Sequence, residues 1–351
     1  MRVAVDVMGG DKAPHEIVLG CIEASKRLEE IPGLEQVIMV GRKDAVEAEL
    51  KACGATLGDS LAFVEATETV EMDEAPAAAV RRKKNNSLTV GMELVKNGKA
   101  QAMVSAGNSG AFSAAALFTL GRIKGVHRPV IATVLPTREE KPIVIVDAGA
   151  NMDCDPAWMA QFAIMGSTYA EKVLGAGEHP NVGLVNIGTE ECKGNEFTHA
   201  AFPYVQNSGV NFKGNIEGHD LFRGEIDVAV CDGFVGNIIL KTTESVALAI
   251  ANWLKKSIRG SGIFALLGAL LLKGAFRRLK KRMDPELYGG AILLGVNGNA
   301  IVTHGAATHR AIFHAIKVAA SAAKDELGET IASRIAAYNE RMVEVKPTEG
   351  C

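Results

Sequence analysis

The sequence predicts an α/β fold, a mostly parallel sheet with helices on both faces. Three observations carry that expectation. Short β-branched runs alternate with amphipathic helical stretches, and several runs end in loops of small residues mixed with Asn or Asp. The composition, 48% hydrophobic, 23% charged and 5% aromatic, suits a globular chain rich in aliphatic side chains and argues against disorder.

Taken in order, Val3 to Val7 reads as a strand and Ile17 to Leu28 as the helix that follows it. Ile17, Cys21, Ala24 and Leu28 recur on one helical face, with Glu23, Lys26, Arg27 and Glu30 largely elsewhere. Val37 to Val40 then Ala45 to Ala52, and Ala102 to Ser105 then Ala111 to Leu120, repeat the strand–helix alternation of βαβ units. A chain of 351 residues is long for one compact core, so one large unit or two interwoven sub-domains around a cleft are expected. No internal repeat and no Pro- and Ser-rich linker divides it.

A formal net charge of -3 supplies no global field for nucleic acid, and no nucleic-acid partner is expected. The six cysteines form no CxxC pair and meet no His at zinc-finger spacing, which points to a reducing compartment without a disulfide framework or structural zinc site. Met1-Arg2-Val3-Ala4-Val5-Asp6 enters a strand directly and does not read as a signal peptide, so a cytoplasmic location is expected.

The strand ends are the informative feature. Val104-Ser105 runs into Ala106-Gly107-Asn108-Ser109-Gly110, Val146 into Asp147-Ala148-Gly149-Ala150-Asn151, Val185 into Asn186-Ile187-Gly188-Thr189-Glu190, and Val230 into Cys231-Asp232-Gly233-Phe234-Val235-Gly236-Asn237. Met8-Gly9-Gly10-Asp11 opens the first turn in the same style. Ordinary turn and capping chemistry accounts for any one of these loops. Several together lead to the expectation of one shared cleft at the carboxyl edge of the sheet, where backbone N–H groups at helix starts hold an anion.

At this point the chain resembles a family, the PlsX-type phosphate acyltransferases of bacterial phospholipid synthesis. The blocks that carry the resemblance span nearly the whole chain: Asp6-x-Met8-Gly9-Gly10-Asp11-x-x-Pro14, Ser105 to Ala111, Asp147 to Asn151, Asn186 to Glu190 and Gly214-Asn215-Ile216-Glu217-Gly218. Asp232-Gly233-Phe234-x-Gly236-Asn237 with Lys241, and Tyr288-Gly289-Gly290-Ala291 with His304-Gly305, complete the series. Each block alone is weak; their order and spacing make the case. Ser109 in place of Thr and Cys192 in place of Gly are small departures.

The resemblance implies an α/β/α sandwich with a Rossmann-like sheet, related to phosphotransacetylase and isopropylmalate-dehydrogenase-like folds. It also implies a homodimer with no metal or redox cofactor. On that pattern residues 1–340 form a large catalytic domain, 254–283 a helical insertion and 341–351 a tail. The implied reaction moves a fatty acyl group from acyl carrier protein to inorganic phosphate, and the product is passed to a membrane glycerol-3-phosphate acyltransferase.

Phosphate is itself an anionic nucleophile, so such a site needs no nucleophilic side chain. It must hold the anion against the thioester and stabilise the tetrahedral oxyanion. The catalytic candidates are Asn237, Lys241, Lys193 and His304, which lie at or just beyond strand ends. The candidates for holding phosphate and substrate are Gly10, Asp11, Gly107, Asn108, Ser109, Gly110, Asn151, Asn186, Asn215, Glu217 and Asp232, with phosphate expected near Asn108 and Ser109. Asp6, Asp11, Asp147, Asp232 and Glu217 are expected to order amides and lysines or to cap helices; no metal is expected.

Ile263 to Leu272 is an apolar run shorter than the about 20 residues a spanning helix requires. Lys255, Lys256 and Arg259 precede it, and Lys273, Arg277, Arg278, Lys280, Lys281 and Arg282 follow. An apolar tip between cations suits shallow insertion into an anionic membrane through Ile263, Phe264, Leu266, Leu267, Leu270 and Leu271. That would hold the protein peripherally on the inner face of the cell membrane, and a buried or dimer-interface helix is the competing account. A short-chain phosphotransacylase using acyl-CoA and a non-enzymatic membrane scaffold remain as alternatives. An NAD-dependent dehydrogenase is disfavoured, because no strand end carries the full GxGxxG pattern.

Overall fold

The computed structural model describes residues 1–139, 141–282 and 289–344. The expected alternation appears in order. β1 is Arg2–Asp6, α1 His15–Lys26, β2 Gln36–Gly41, α2 Lys43–Ala52 and β3 Leu61–Glu65. Next come α3 Pro76–Arg82, α4 Ser87–Lys96, β4 Ala102–Ser105 and α5 Ser109–Thr119. Helix starts follow local chemistry: Asn86 accepts from the Thr89 N–H at α4, and Asn108 accepts from the Ala111 N–H at α5.

β5 (Val130–Leu135) and β6 (Ile143–Val146) are joined without a helix, and α6 (Trp158–Lys172) follows. α6 is buried without interruption from Met159 to Ala170, as a helix apolar all round must be. β7 (Asn181–Val185), α7 (Glu196–Gln206), β8 (Asn211–Ile216) and β9 (Val228–Val230) lead to α8 (Gly233–Gly260). After α9 (Gly262–Leu271) and α10 (Lys273–Arg282), β10 (Ala291–Leu294) and β11 (Asn299–Val302) complete the sheet; α11 (His309–Lys324) and α12 (Leu327–Glu344) end the described chain.

The strands of the described residues join one sheet in the order β3-β2-β1-β4-β11-β10-β5-β6-β9-β7-β8. Alternation along the strands splits the core between its faces. Val3, Val5, Ala102 and Val104 pack on one side, and Ala4, Ile38, Val40 and Met103 on the other. In the second half, Ile143, Ile145, Ala229 and Cys231 form a further apolar cluster. Helices cover both faces, so the sandwich expected from the sequence is present.

Strand direction reverses within the sheet. β1, β2, β3, β4 and β11 run parallel; β10 opposes β11, β5 opposes β10, and β6 opposes β5. β9, β7 and β8 then run parallel to β6. The carboxyl ends of β1, β4 and β11 therefore lie on one edge, and those of β6, β9, β7 and β8 on the other. With β10 and β5 between β11 and β6, the two groups of ends are also roughly 14 Å apart across the strands. The expectation of one cleft lined by all five loops is corrected on this point for a single chain.

α8 leaves the body of the molecule as an arm. Only Gly233 and Gly236 of its 28 residues are buried, and at 1.5 Å per residue it is about 42 Å long. By length and composition it is apolar enough to cross a membrane. α9 continues the arm beyond Ser261, with Phe264 and Leu271 85% and 87% exposed and Leu267 and Leu270 also exposed. The side chains of Ile263 and Leu266 lie outside the described residues, as does Tyr288.

Candidate active site

At the first edge, the buried Asp6 carboxylate accepts from the Met8 and Gly9 N–H groups and from Ser105 Oγ. Burial pushes this carboxyl above its ordinary range, and the Ser87 and Ser105 hydroxyls and the two N–H donors oppose the shift. Gly10 has φ +116 and sits where a Cβ would lie 3.1 Å from the carbonyls of Ala106 and Gly305, so a side chain is excluded. The Asp11 N–H donates to Gly305 O at 2.8 Å and ties the β1 loop to the β11 loop, while the Asp11 carboxylate is exposed.

Asn108 is fully engaged here. Its Oδ1 caps α5, and its Nδ2 donates to Met72 O at 2.9 Å and Glu74 O at 3.4 Å. Its side chain is thus a strut that fixes the β3–α3 connection, with its amide N–H groups turned to those carbonyls and away from the phosphate contact expected of them. The Ser109 and Gly110 N–H groups open α5 without intrahelical partners, as the first turn of any helix does. Gly107 N–H is directed to Ser105 Oγ, and His304 Nδ1 accepts from the Ala306 N–H, a turn contact.

The second edge brings together most of the remaining candidates. Asp147 accepts from the N–H groups of Ile131, Gly149, Ala150 and Asn151 and from Asn151 Nδ2. Burial raises its carboxyl, against the pull of those donors. Asn151 also donates to Pro129 O, so it closes the loop and has no amide hydrogen to spare. Asp232 caps α8 at the Val235 N–H. Gly236 is pressed against this loop: a Cβ would lie 1.8 Å from Asp147 O.

One turn into α8, Asn237 faces the turn at Gly149, with its Cγ 3.5 Å from the position of a Cβ there. Its amide has no partner among the described residues. Asn186 donates to Lys193 O and accepts from the Ile187 N–H, and so shapes the β7–α7 loop. The Lys193 ammonium, carried by that loop, has no carboxylate partner among the described residues. Asn215 is 5% exposed; its Nδ2 donates to Glu190 O at 3.1 Å, and its Oδ1 is buried with no partner. Unpaired buried oxygens are costly and uncommon.

Other candidates are committed elsewhere. Lys241 pairs with Glu244 at 3.3 Å on the exposed side of α8. Glu217 neighbours His219 at 3.6 Å, beside an Asp220 already bound by Arg223. Burial pushes the Cys154 thiol up to about 12 and Cys231 well above its ordinary value, so neither provides a thiolate nucleophile at neutral pH.

Sequence reasoning missed several contributors. The Met72–Glu74 segment is distant in the chain and carries no periodic signal. Asn195 and Thr198 form a capping box at α7, which the spacing of those two residues does announce. Exposed Phe234, Ile238 and Ile187 place apolar surface on the two elements that carry Asn237 and Lys193.

Comparison with known proteins follows the same lines. A family model described as a fatty acid synthesis protein matches residues 1–329. A phosphate acyltransferase of Pelotomaculum thermopropionicum is 47% identical over 350 residues, covering 100% of this chain and 98% of that protein. One from Heliobacterium modesticaldum is 49% identical, covering 91% and 93%. Among solved structures, a phosphotransacetylase from Streptococcus pyogenes superposes with TM-score 0.61 at 17% identity, over 92% of this chain and 94% of that one. The EutD phosphotransacetylase of Staphylococcus aureus gives 0.59 at 16% identity, with 92% and 94% covered. These likenesses show the shared fold, while the sequence relatives assign the activity class: the chain is an acyltransferase and belongs to the PlsX-type phosphate acyltransferase family.

Proposed function

We propose that the second edge transfers a fatty acyl group from the thioester of an acyl carrier protein to inorganic phosphate, giving acyl phosphate for phospholipid synthesis. The observation that carries the assignment is the state of its polar groups. The Asn237 amide, the Lys193 ammonium and the Asn215 oxygen are uncommitted, whereas the Asn108, Asp6 and Ser105 side chains of the first edge are occupied in holding loops.

Lys193 offsets the phosphate charge and holds an oxygen against the thioester carbon. That oxygen forms the new C–O bond, and the amide of Asn237 donates to the carbonyl oxygen as it becomes an oxyanion. Collapse breaks the C–S bond and leaves its electron pair on sulfur. The hydroxyl proton of hydrogen phosphate ends on that thiolate, so acyl phosphate and free thiol are the only products. Asn215 Oδ1 accepts from an N–H of the carrier's prosthetic arm or from the Lys193 ammonium. Phe234, Ile238 and Ile187 offer apolar surface for the start of the acyl chain.

The arm supports the rest of this reading. α8 gives an apolar face to a second copy of the chain, and the α9 tip, next to basic α10, docks on the anionic inner face of the membrane. Delivery of the product to a membrane glycerol-3-phosphate acyltransferase follows from that position.

The test is single-turnover formation of acyl phosphate by Lys193→Ala and Asn237→Ala. Loss of an oxyanion donor corresponds to a rate reduction of about 100-fold or more, with circular dichroism unchanged. Wild-type rates in both variants would remove the site from the second edge. Faster turnover of acyl-CoA than of acyl carrier protein would favour the short-chain reading.

A further inference from the structure

We propose that His15, Glu49 and Cys53 form a binding site for a divalent transition metal of the zinc class, separate from the acyl-transfer site. His15 is the first residue of α1, Glu49 lies on the last turn of α2, and Cys53 caps that helix with its N–H on Glu49 O. Glu49 and Cys53, four residues apart, thus share one face of α2 and meet His15 across the α1–α2 contact. His15 Nδ1 is 2.7 Å from Glu49 Oε2, and the nitrogen, oxygen and sulfur ligand atoms all lie within 4.8 Å of one another.

A tetrahedral zinc ion with ligand bonds of about 2.0 to 2.3 Å holds its ligands roughly 3.3 to 3.8 Å apart. Small side-chain rotations bring these three atoms to that spacing, since His15 is exposed and none of the three side chains is fully buried. The ligand set is selective. Imidazole and thiolate suit zinc and its neighbours and are poor partners for magnesium or calcium, while thiolate and carboxylate together neutralise the divalent charge. The carbonyl end of α2 adds a favourable negative pole. Three protein ligands leave a fourth position open to water.

Another cluster among the described residues, Glu217, His219 and Asp220, lacks a thiol, and Asp220 is already held by Arg223 at 2.8 Å. The His15 site was invisible to motif spacing, because its ligands come from two helices far apart in the chain. The metal would pin the start of α1, just after the Gly9–Asp11 loop, to the end of α2.

The test uses the full chain with Cys192→Ser and Cys351→Ser, which remove competing thiols, stripped of metal and titrated with Co²⁺ and then Zn²⁺. The expected result is one equivalent of Co²⁺ with a thiolate-to-cobalt charge-transfer band, displaced by Zn²⁺ with a Kd of about 1 µM or tighter. Cys53→Ser abolishes the band, and the exposed His15→Ala weakens zinc by about tenfold or more, with circular dichroism unchanged in both. Absence of the band, or the same band and affinity in both variants, would reduce the cluster to a surface ion pair beside a bystander thiol.

Discussion

Gly236→Ala puts the architecture of the second edge under direct test. The added methyl carbon would lie 1.8 Å from Asp147 O, 2.9 Å from Asp147 C and 3.0 Å from Cys231 Sγ. A carbon–oxygen contact relaxes to about 3.3 Å, so helix and loop must separate by roughly 1.5 Å. The loop resists, because Asp147 is held by backbone donors from both β5 and its own turn. Overpacking of this kind costs about 1 to 3 kcal/mol, and the upper end applies where the obstacle is backbone. Alanine recovers about 1 kcal/mol through better helix propensity, leaving a net loss of about 2 kcal/mol. On the role proposed for Asn237, a 1 Å displacement of its amide carries a rate penalty on the order of 100-fold. Urea unfolding and acyl-phosphate formation read the two effects. Gly268→Ala is the internal control, since nothing lies within 4 Å of its Cβ position and α9 is helical there. It is expected to be neutral or slightly stabilising with activity retained. An unfolding midpoint and rate equal to wild type in Gly236→Ala would refute the argument that this glycine is sterically required.

Two further predictions concern the periphery. The Glu16 carboxyl is held below its ordinary value of 4.5, first by the His309 N–H and then by its ring. A depressed folded value means the contribution is complete above the unfolded value and is lost as pH falls through the folded one. Glu16→Gln should therefore flatten the stability–pH curve below about pH 4.5 and leave its slope near neutrality unchanged; identical acid limbs would disprove the linkage. For the arm, Leu267→Glu with Leu270→Glu removes two side chains worth about 1.5 to 3 kcal/mol each when buried in lipid, so binding to vesicles of anionic phospholipid should fall at least about 100-fold. Equal flotation of variant and wild type would rule out docking through this tip.

Much of the fold was legible because its signals are local. β4 spans the residues its apolar run indicates, and α5 begins at the residue after its Asn108 cap. The reversal of strand direction is nonlocal in effect, yet a trace of it is in the chain. Leu135 and Ile143 are too close for the dozen or more residues of a parallel crossover, and Leu294 and Asn299 closer still. Read that way, both links are hairpins; the pairing of β10 with β5, which makes the two halves opposed, is seen only in the structure. The site was harder. Asn108 and Asn237 look alike in sequence, each among glycines at a helix start; the carbonyls of Met72 and Glu74, which only tertiary structure brings near, occupy the first. The free oxygen of Asn215 likewise arises from β8 packing beside the β7 loop, with no sign of it in the local pattern.

α8 has a mechanical consequence. Within one chain it is a rod of about 42 Å clamped at its foot, where Gly233 and Gly236 seat against the Asn151 and Asp147 carbonyls, and exposed along most of its length. A tilt of about 5° at the clamp sweeps the far end through roughly 4 Å. Read in reverse, the rod is a lever with a long outer arm and a very short inner one. A load on the tip reaches the foot multiplied in force and divided in distance, and Asn237 is one turn from the fulcrum.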